Sequence, residues 1–450
     1  MTAPYYQDDL VTLHHGDCLD VLREMPDCSV DAVITDPPYG IAFMGKDWDQ
    51  PGAFGSERRN GSPQRTQREG LAMDAGRYDL SPAAMLNFQR WCTAWATECL
   101  RILKPGGHLL AFGGSRTWHR LSSGIEDAGF EIRDSIAWLY GSGFPKSLDV
   151  SKAIASTESG HGGNSVAQRK AAMGGDYVSS ERRGNRDGAG RRDTGLSGYR
   201  LELTENAQAW QGWGTALKPA FEPIVVARKP LSGTVAANVL EYGTGALNID
   251  ACRVGTSKSV PASPSNTPSR ITNVGLGVGP GSRVGTSGFD PNIGRWPTNV
   301  VLDEQQAEAL DRQSGTSTSR VGKPRGASSG AGWGMTATGA EYADEGGASR
   351  FFPVFRYEAK APTSERPNAD GVQHPTVKPL DLMRWLVRLV TPVGAVVLEP
   401  FAGSGTTAEA CILEDRQCIA IEREADYLPL IVSRLQKPMQ QGLFGLEAGA

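Results

Sequence analysis

Two stretches near opposite ends of the chain are nearly continuous apolar runs. VDAVITD occupies residues 30–36, and AVVLEP occupies residues 395–400. A strand with one face in water alternates apolar and polar residues, whereas a strand without that alternation is covered on both faces. Helical spacing of apolar residues precedes the first run at 18–26 and follows the second at 401–415. Strands that alternate with helices in this way predict an α/β fold with a mostly parallel sheet.

The same alternation continues at both ends of the chain and is interrupted in the middle. Further strands are predicted at 10–17, 108–114, 130–141, 221–230 and 417–423, and further helices at 85–103, within 374–390 and at 425–437. Two inserts, 148–210 and 231–370, are rich in Gly and Ser, with Arg in the first and Thr and Pro in the second. They have few aromatic residues and little periodicity, so neither insert can bury a conventional core alone.

These patterns divide the chain into six parts. In order they are one half of the α/β domain, a flexible polar insert, a returning strand of the sheet, a second insert, the other half of the domain and a tail: 1–147, 148–214, 215–230, 231–370, 371–437 and 438–450. The two halves of one sheet must therefore meet across the inserts.

Composition narrows the class of protein. With 55 Gly, 28 Pro and 39% apolar residues, the chain fits a folded domain that carries loop-rich inserts. The net charge is −4, so a polyanion partner would have to meet a local basic groove. The 7 cysteines form no C-x-x-C pair, which argues against a disulfide framework or a zinc site and favours the reducing cytoplasm. We expect no metal, no signal peptide and no membrane span.

The sequence VVLEPFAGSGTT (396–407) reads as a strand, a glycine-rich turn and the start of a helix that the threonines can cap. Gly403 and Gly405 allow a ligand to approach the backbone closely, although a lone Gly-x-Gly also occurs in tight turns without a ligand. The spacing lacks the third glycine of a dinucleotide fingerprint and the lysine of a P-loop. Glu399 suits a cationic or amine-bearing ligand, and Glu422, about 20 positions beyond the glycines, suits ribose hydroxyls. These features favour S-adenosylmethionine over a phosphate-rich nucleotide.

Asp36-Pro37-Pro38-Tyr39 directly follows the first buried strand, and Phe401-Ala402-Gly403-Ser404-Gly405 follows the second. This pair of motifs resembles the amino-group DNA methyltransferases, as do the flanking segments GDCLDVL, KPGGHLLAFG and HPTVKP. The catalytic motif precedes the cofactor motif, which is similar to the β arrangement of that family. The resemblance implies a circularly permuted Rossmann-like methyltransferase sheet, with 1–147 as its catalytic half and 371–437 as its cofactor-binding half.

The resemblance also implies a chemistry for the first motif. The family transfers a methyl group from S-adenosylmethionine to an exocyclic amino nitrogen of adenine or cytosine. The Asp36 carboxylate and the Pro37 carbonyl would accept the two amino hydrogens, while Pro37 and Pro38 keep that carbonyl out of a sheet ladder. The Tyr39 ring would stack on a base flipped out of the duplex. A rigid exposed turn is the alternative interpretation of these four residues.

A second set of residues is expected, by the same resemblance, to hold the cofactor. Asp17 would contact the adenine amino group, or simply cap the next helix, and Phe401 would lie against the cofactor or pack in the core. His374, Thr376 and Lys378 match the segment that lines the methionine end of the site, although Val377 stands where the family often has Gln. The full set is Asp17, His374, Thr376, Lys378, Glu399, Pro400, Phe401, Ala402, Gly403, Ser404, Gly405, Thr406 and Glu422.

The expected partner is double-stranded DNA, and the second insert (231–370) is assigned to target recognition because such inserts intervene between the motifs of the family. Its scattered arginines are suited to phosphates and guanine edges, although most of them can equally be solvated. The tail contains Gln440, Leu443 and Phe444 in a Q-x-x-L-F pattern, which is similar to peptides that dock on bacterial sliding clamps. A frayed tail is the simpler interpretation of that pattern. The sequence leaves a homodimer open.

The function predicted from these residues is methylation of adenine N6 in duplex DNA by a restriction–modification enzyme of a bacterium or phage. Asp36 favours adenine because cytosine-N4 enzymes more often carry Ser at that position, but cytosine N4 remains the alternative. An RNA or protein-glutamine methyltransferase is less favoured, since the latter has Asn before the two prolines. A DNA-binding module without activity and a nicotinamide dehydrogenase fit worse, because both motifs are intact and the dinucleotide fingerprint is incomplete.

Overall fold

The structure, a computed structural model, describes residues 3–41, 80–143, 147–158, 203–255, 294–319, 344–355, 372, 374 and 376–436. The strands are β1 (Tyr6–Gln7), β2 (Val11–His15), β3 (Val30–Thr35), β4 (Leu103–Phe112), β5 (Glu131–Leu139), β6 (Phe221–Arg228), β7 (Val300–Asp303), β8 (Ser317–Thr318), β9 (Glu345–Gly346), β10 (Val354–Phe355), β11 (Val396–Glu399) and β12 (Gln417–Glu422). The chain divides into two compact units, Met1–Ser142 with Ala220–Ala450 and Gly143–Pro219. All of these strands belong to the first unit.

The helices are α1 (Cys18–Glu24), α2 (Pro82–Ile102), α3 (Trp118–Asp127), α4 (Val150–Glu158), α5 (Glu205–Ala209), α6 (Val235–Tyr242), α7 (Glu304–Ser314), α8 (Leu380–Val390), α9 (Thr406–Leu413) and α10 (Leu428–Leu435). Short 3₁₀ turns lie at Asp250–Cys252, Ala348–Phe351 and Ala425–Tyr427. Within the described ranges, none of the helices is long and apolar enough to cross a membrane.

Among the described residues, ten strands form one sheet in the order β1-β2-β12-β11-β3-β4-β6-β5-β7-β10. The pairs are parallel except where β1 meets β2 and where β6 lies antiparallel between β4 and β5. A separate antiparallel pair joins β8 to β9. The α/β fold with a mostly parallel sheet, predicted from the alternation of strands and helices, is confirmed.

Helices cover both faces of the sheet, which explains why the buried strands lack alternation. Ala32 and Ile34 of β3 belong to the apolar cluster that includes α8, α9 and α10. Val33, between them, belongs to the opposite cluster with α1, α2 and α3. Because each face of β3 is covered, its two buried polar residues need partners within the protein: Asp31 pairs with Lys104 at 2.6 Å, and Thr35 donates to Glu399.

The order of the strands reverses between β11 and β3. From β11 the chain passes through α9 to β12 on one side, and from β3 it passes through α2 to β4 on the other side. β11 and β3 are parallel neighbours, with Val397 opposite Ala32 and Leu398 opposite Val33. In open α/β sheets ligands bind outside the carboxyl ends of the strands at such a reversal. We call this side of the sheet the carboxyl edge; the strands β2, β12, β11, β3 and β4 end there, and the antiparallel strand β6 begins there.

The described part of the second insert extends the sheet. β7 pairs in parallel with β5, with Val301 opposite Trp138, and β10 pairs in parallel with β7. The side chains of Val301 and Leu302 are buried. The expectation that this insert has no core of its own fits this arrangement, but the sequence did not predict that it adds strands. β7 is only four residues long, VVLD, too short for a periodic signal.

The second unit contains α4 and α5, which corrects part of the prediction of a flexible polar insert at 148–214. Ala155 of α4 and Ala207 of α5 are almost fully buried. Thr204 caps α5 by accepting a hydrogen bond from the Ala207 backbone N–H, and its hydroxyl donates to Glu158 at the end of α4. Small residues and one cap therefore order short helices in a segment without strong hydrophobic periodicity. Residues 159–202 of this insert lie outside the described ranges.

Candidate active site at the carboxyl edge

The glycine turn after β11 requires backbone conformations that favour glycine. Gly403 has φ of +53° and Gly405 has φ of +76°. A Cβ on Gly403 would lie 3.1 Å from Nε2 of His374, and a Cβ on Gly405 would lie 3.0 Å from Cγ2 of Ile431. Gly405 is also the N-cap of α9, without a side-chain cap. The suggestion that Thr406 caps this helix is wrong, because its hydroxyl instead bonds to that of Ser404 at 2.9 Å.

Glu399 ends β11 with a buried carboxylate that holds the turn together. Its Oε1 accepts hydrogen bonds from the Thr35 hydroxyl at 2.5 Å and from the Phe401 N–H at 3.1 Å. Its Oε2 accepts a hydrogen bond from the Thr407 hydroxyl at 2.6 Å. Burial raises the pKa of Glu399 to about 8, against the effect of these three donors. Glu399 therefore joins β3, β11 and α9, and its side chain is only 2% exposed.

Glu422 ends the neighbouring strand β12 and contacts the same turn. Its Oε2 accepts from the Gly403 N–H at 2.7 Å, and its Oε1 accepts from the Glu424 N–H at 2.7 Å. A carboxylate has about four acceptor sites, so two are left for other donors such as ribose hydroxyls. Burial raises the pKa of Glu422 to about 7.

Asp17 follows β2, the next strand along this edge. Its Oδ1 accepts from the Leu19 N–H at 3.0 Å, so Asp17 is the N-cap of α1 as one interpretation predicted. The Gly16 N–H donates to the backbone carbonyl of Glu422 at 3.0 Å and joins the two strand ends. The cap uses one oxygen of Asp17, which leaves the predicted contact with the cofactor as an expectation.

The remaining predicted cofactor residues surround the turn. Pro400, Ala402 and Ser404 are buried, and the Ala402 N–H donates to the carbonyl of Ile421 at 2.9 Å. The Phe401 ring packs against two tryptophans of α2, with ring centroids 5.5 Å from Trp91 and 5.6 Å from Trp95. Since the Phe401 side chain is half-buried rather than buried, packing in the core leaves part of it exposed.

His374 lies over the glycine turn. Its Nδ1 is hydrogen-bonded to the carbonyl of Thr376, and its ring meets that of Tyr427 edge to face with centroids 4.7 Å apart. Burial lowers the pKa of His374, so the ring is neutral at pH 7. His374 therefore lies against Gly403 and is held by Thr376, and the contacts of both residues with the cofactor stay predictions.

The Asp36-Pro37-Pro38-Tyr39 motif forms the turn after β3. The Tyr39 hydroxyl donates to Oδ1 of Asp36 at 2.8 Å. Within the described residues no donor engages the carbonyl of Pro37. One face of the Tyr39 ring lies against Gly114, where a Cβ would come within 3.0 Å of Tyr39 Cδ2. The motif therefore presents a carboxylate and a carbonyl as acceptors beside an aromatic ring.

Lys378, predicted to line the methionine end of the cofactor site, contacts Asp36, and its contact with the cofactor stays a prediction. Its Nζ lies 2.9 Å from Oδ2 of Asp36, 3.0 Å from Oε1 of Glu222 and 3.1 Å from the Tyr39 hydroxyl oxygen. The Phe112 ring lies under the ammonium, with its centroid 4.7 Å away. Burial opposes the charge of Lys378, but Asp36 and Glu222 together raise its pKa.

Glu222 is the site residue that sequence reasoning missed. It lies at the start of β6, opposite Trp138 of β5, and its Oε1 also contacts the Tyr39 hydroxyl. The signal was a single acidic residue in the apolar run FEPIVVARKP (221–230). Because β6 is antiparallel, the start of this strand lies beside the ends of the others. Strand direction could not be deduced from the run itself.

The residues of this edge fit S-adenosylmethionine. The turn at 399–407 contains no Lys or Arg, so it suits a nucleoside with a sulfonium better than a phosphate group. Asp36, Glu222 and Lys378 together carry one net negative charge beside that turn. In the described part of the chain, no group of three or more His, Cys, Asp or Glu side chains is arranged to hold a metal ion.

Comparisons with known proteins identify the family of this chain. A family profile described as DNA methylase, for N6- and N4-acting enzymes, matches residues 30–158 and 200–433. The type II methyltransferase M.HindIII of Haemophilus influenzae is 22% identical over 431 residues, which are 94% of either chain. The type II methyltransferase M.BamHI of Bacillus amyloliquefaciens is 28% identical over 109 residues, 24% of this chain and 19% of that protein.

Two solved structures are also similar. The cytosine-N4-specific PvuII DNA methyltransferase has a TM-score of 0.40 at 13% identity, over 96% of this chain and 88% of its own. The M1.HpyAVI complex with S-adenosylmethionine has a TM-score of 0.37 at 13% identity, over 95% of this chain and 100% of its own.

The family match covers both motifs of the site. Residues 30–158 include Asp36-Pro37-Pro38-Tyr39, and residues 200–433 include Glu222, Lys378 and the glycine turn. The match therefore spans both halves of the sheet rather than one local motif. The chain belongs to the DNA methylases that use S-adenosylmethionine to methylate exocyclic amino groups, N6 of adenine or N4 of cytosine.

Proposed function

We propose that the chain methylates N6 of adenine at a specific sequence in duplex DNA. It would act as the modification enzyme of a restriction–modification system, in the cytoplasm of a bacterium or a phage-infected cell. One observation carries the proposal: Thr35, the residue before Asp36, donates its hydroxyl to Glu399, the residue that precedes the glycine turn. The target-facing motif and the cofactor-facing turn thus begin within one hydrogen bond of each other.

The reaction requires hydrogen-bond acceptors for the amino group of the target base. The nitrogen of an aromatic amine is a weak nucleophile because its lone pair is delocalised into the ring. Two acceptors on its hydrogens favour a pyramidal nitrogen with a directed lone pair, and the Asp36 carboxylate and the Pro37 carbonyl are suited to that role. When bound, S-adenosylmethionine supplies an electrophilic methyl group on a sulfonium.

The target base has to leave the duplex to reach this edge, because its amino group is otherwise paired inside the helix. The Tyr39 ring is suited to stack on the flipped base, as the resemblance implies; Gly114 lies against this ring, and the Lys378 ammonium lies 5.4 Å from its centroid. The carboxylate at position 36 favours adenine over cytosine, by the resemblance to adenine-N6 enzymes.

The decisive experiment is to incubate the purified protein with unmethylated plasmid DNA and S-adenosylmethionine, and then to identify methylated nucleosides by mass spectrometry. We expect N6-methyladenine, and single-molecule sequencing of the same plasmid would give the target sequence. N4-methylcytosine as the product would replace adenine by cytosine in the proposal. Methyl transfer to RNA of the same sequence, with DNA left unmodified, would contradict it.

We further propose that the second insert contributes target recognition. Val254 and Arg295 bracket residues 256–293 and exchange two backbone hydrogen bonds, of 3.0 and 2.7 Å, so the chain enters and leaves this segment at adjacent points. A short Gly-Ser linker can therefore replace 257–292 without moving β7. We expect the shortened protein to bind cofactor normally but to lose sequence preference. An unchanged methylation pattern would exclude this segment from recognition.

Two predicted contacts of the chain stay predictions. Gln440, Leu443 and Phe444, proposed for a sliding clamp, lie outside the described residues. The homodimer also has no test in the structure of a single chain.

A further inference from the structure

The ammonium of Lys378 has all its hydrogen-bonding capacity in use. An ammonium group has three donors, and three oxygens lie within 3.1 Å of it, from Asp36, Glu222 and Tyr39. The Lys378 side chain is 11% exposed, and the side chains of Glu222 and Asp36 are 14% and 23% exposed. A lysine buried to this extent keeps its charge only where carboxylates surround it.

The proposed reaction gives no role to Glu222, which also contacts Lys378. Its Oε1 contacts both the Lys378 ammonium and the Tyr39 hydroxyl, the same two groups that contact Asp36. The four side chains therefore form a closed arrangement in which Asp36 and Glu222 each touch Lys378 and Tyr39. The contacts join residues 183 and 339 positions apart in sequence. Removing Glu222 would leave Lys378 and Tyr39 with only Asp36 as a carboxylate partner.

We propose that Glu222 and Lys378 are positioning residues for the catalytic carboxylate, and that Lys378 serves Asp36 rather than the cofactor. This inference rests on the proposed function, because it takes Asp36 as the acceptor for the target amine. Tyr39 holds Oδ1 and Lys378 holds Oδ2, so the plane of the Asp36 carboxylate is fixed. Each oxygen keeps a lone pair for the target amine, since a carboxylate has about four acceptor sites.

Lys378 and Glu222, which carry opposite charges, also set the electrostatic potential at Asp36. Lys378 alone would neutralise Asp36 and weaken it as an acceptor. With Glu222 present, the group retains one net negative charge, which favours a reaction in which positive charge develops on the target nitrogen. Glu222 thus allows Lys378 to orient Asp36 without removing its negative potential.

The test is to compare Glu222→Gln, Lys378→Met and the double variant with wild type in transfer of a radiolabelled methyl group to DNA. Misplacement of a reacting group by about 1 Å can cost about 10²-fold, so we expect each single variant to lower kcat on the order of 10- to 100-fold. The Kd for S-adenosylmethionine and the KM for DNA should change less than about threefold. The double variant should lose no more than the worse single variant, because both act through Asp36.

A matched control is Glu131→Gln. Glu131 lies on β5 and pairs with Arg228 at the opposite end of β6, at 2.7 Å. Like Glu222, Glu131 is a strand carboxylate in an ion pair, but it lies away from the carboxyl edge. The kcat of the Glu131→Gln protein should stay within about twofold of wild type.

A second readout does not depend on activity. With tyrosine labelled at ¹³Cζ, the signal of Tyr39 is the one that Tyr39→Phe removes. The pKa of Tyr39 is raised by burial and by the Asp36 and Glu222 carboxylates. Glu222→Gln should shift this signal and lower that pKa, whereas Glu131→Gln should leave both unchanged. If wild type transfers no methyl group to DNA, the proposed function fails, and this signal still shows whether Glu222 holds Tyr39.

Three results would overturn the inference. The first is a Glu222→Gln protein with wild-type kcat. The second is a loss of cofactor affinity of tenfold or more in Lys378→Met with kcat unchanged, which would return Lys378 to the cofactor site. The third is a double variant whose fold-loss of kcat equals the product of the two single-variant losses. If Glu222→Gln does not fold, Lys378→Arg tests the same group, because a planar guanidinium cannot reproduce three contacts from one atom; wild-type kcat there would also contradict the inference.

Discussion

The two halves of the carboxyl edge are built differently. On the cofactor side, the carboxylates of Glu399 and Glu422 accept hydrogen bonds from the N–H groups of Phe401 and Gly403, close by in sequence. On the target side, Asp36 is held by the side chains of Tyr39 and Lys378. Lys378 lies 339 positions beyond Tyr39 in sequence. Backbone contacts fix a turn whatever its neighbours are, whereas side-chain contacts depend on the whole fold. The comparison predicts that changes on one side should leave the other side working.

The largest effect should follow from Asp36→Ala. This variant removes the acceptor for the target amine, and loss of one such electrostatic contact lowers kcat by about 10²- to 10³-fold. The measurement is single-turnover methyl transfer, with the Kd for S-adenosylmethionine determined by calorimetry. The Kd should change less than about threefold because the glycine turn is untouched. A tenfold weaker Kd would show that the two halves are not separable.

The next effect is expected from Gly405→Ala on the cofactor side. Its φ of +76° and the 3.0 Å approach of the new Cβ to Ile431 force the turn to move. We expect cofactor affinity to fall on the order of 10-fold, from strain of about 1–3 kcal/mol. The control is Gly394→Ala, which has φ of +79° but no atom within 4 Å of the new Cβ. That variant should lose stability and keep its cofactor affinity; equal loss of affinity in both would attribute the effect to general destabilisation.

A smaller effect concerns pH. Glu422 has a pKa of about 7, raised by burial, so it is largely protonated below pH 6 and ionised above pH 8. Donors from the ribose favour the ionised form, so cofactor affinity should rise with pH by several-fold between those limits. The free energy of unfolding of the cofactor-free protein changes with pH in the opposite direction. The stability contributed by protonated Glu422 is present at low pH and is lost as pH rises through 7.

Calorimetry across this range measures the pH effect. Glu422→Gln should bind cofactor with an affinity that no longer depends on pH between 6 and 8. Methyl transfer at saturating cofactor should change less than about threefold in this variant, because Asp36 is untouched. A pH dependence that persists in Glu422→Gln would assign the titration to another group.

The smallest effect is expected where the two halves meet. Thr35→Val removes the hydroxyl that joins β3 to Glu399, while keeping the shape of the side chain. A lost hydrogen bond to a buried carboxylate costs about 1–3 kcal/mol in the free energy of unfolding. Urea denaturation gives this value, and Thr12→Val, a half-buried strand threonine on β2, is the control. A drop in kcat beyond the loss of folded protein would show that this bond also aligns the two halves.

Local patterns in the sequence were enough for one half of the site. The glycine turn, the strand before it and the acidic residue that ends β12 lie within residues 396–422, so their spacing encodes their geometry. The catalytic motif was also evident, because a rigid turn after a buried strand is a local feature. The direction and neighbours of β6 were not predictable from FEPIVVARKP, so Glu222 was missed and the contact of Lys378 with Asp36 was not expected.

The sequence by itself determined the class of fold, the glycine turn after β11 and the rigid turn after β3, because each depends on residues adjacent along the chain. Only the tertiary structure decided which side chains surround Asp36, since β6 joins the sheet beside β4 and α8 brings Lys378 to the same edge. It also decided that the second insert extends the sheet through β7 and β10. Contacts between distant segments depend on strand order, and strand order is set by how all the helices and strands pack together.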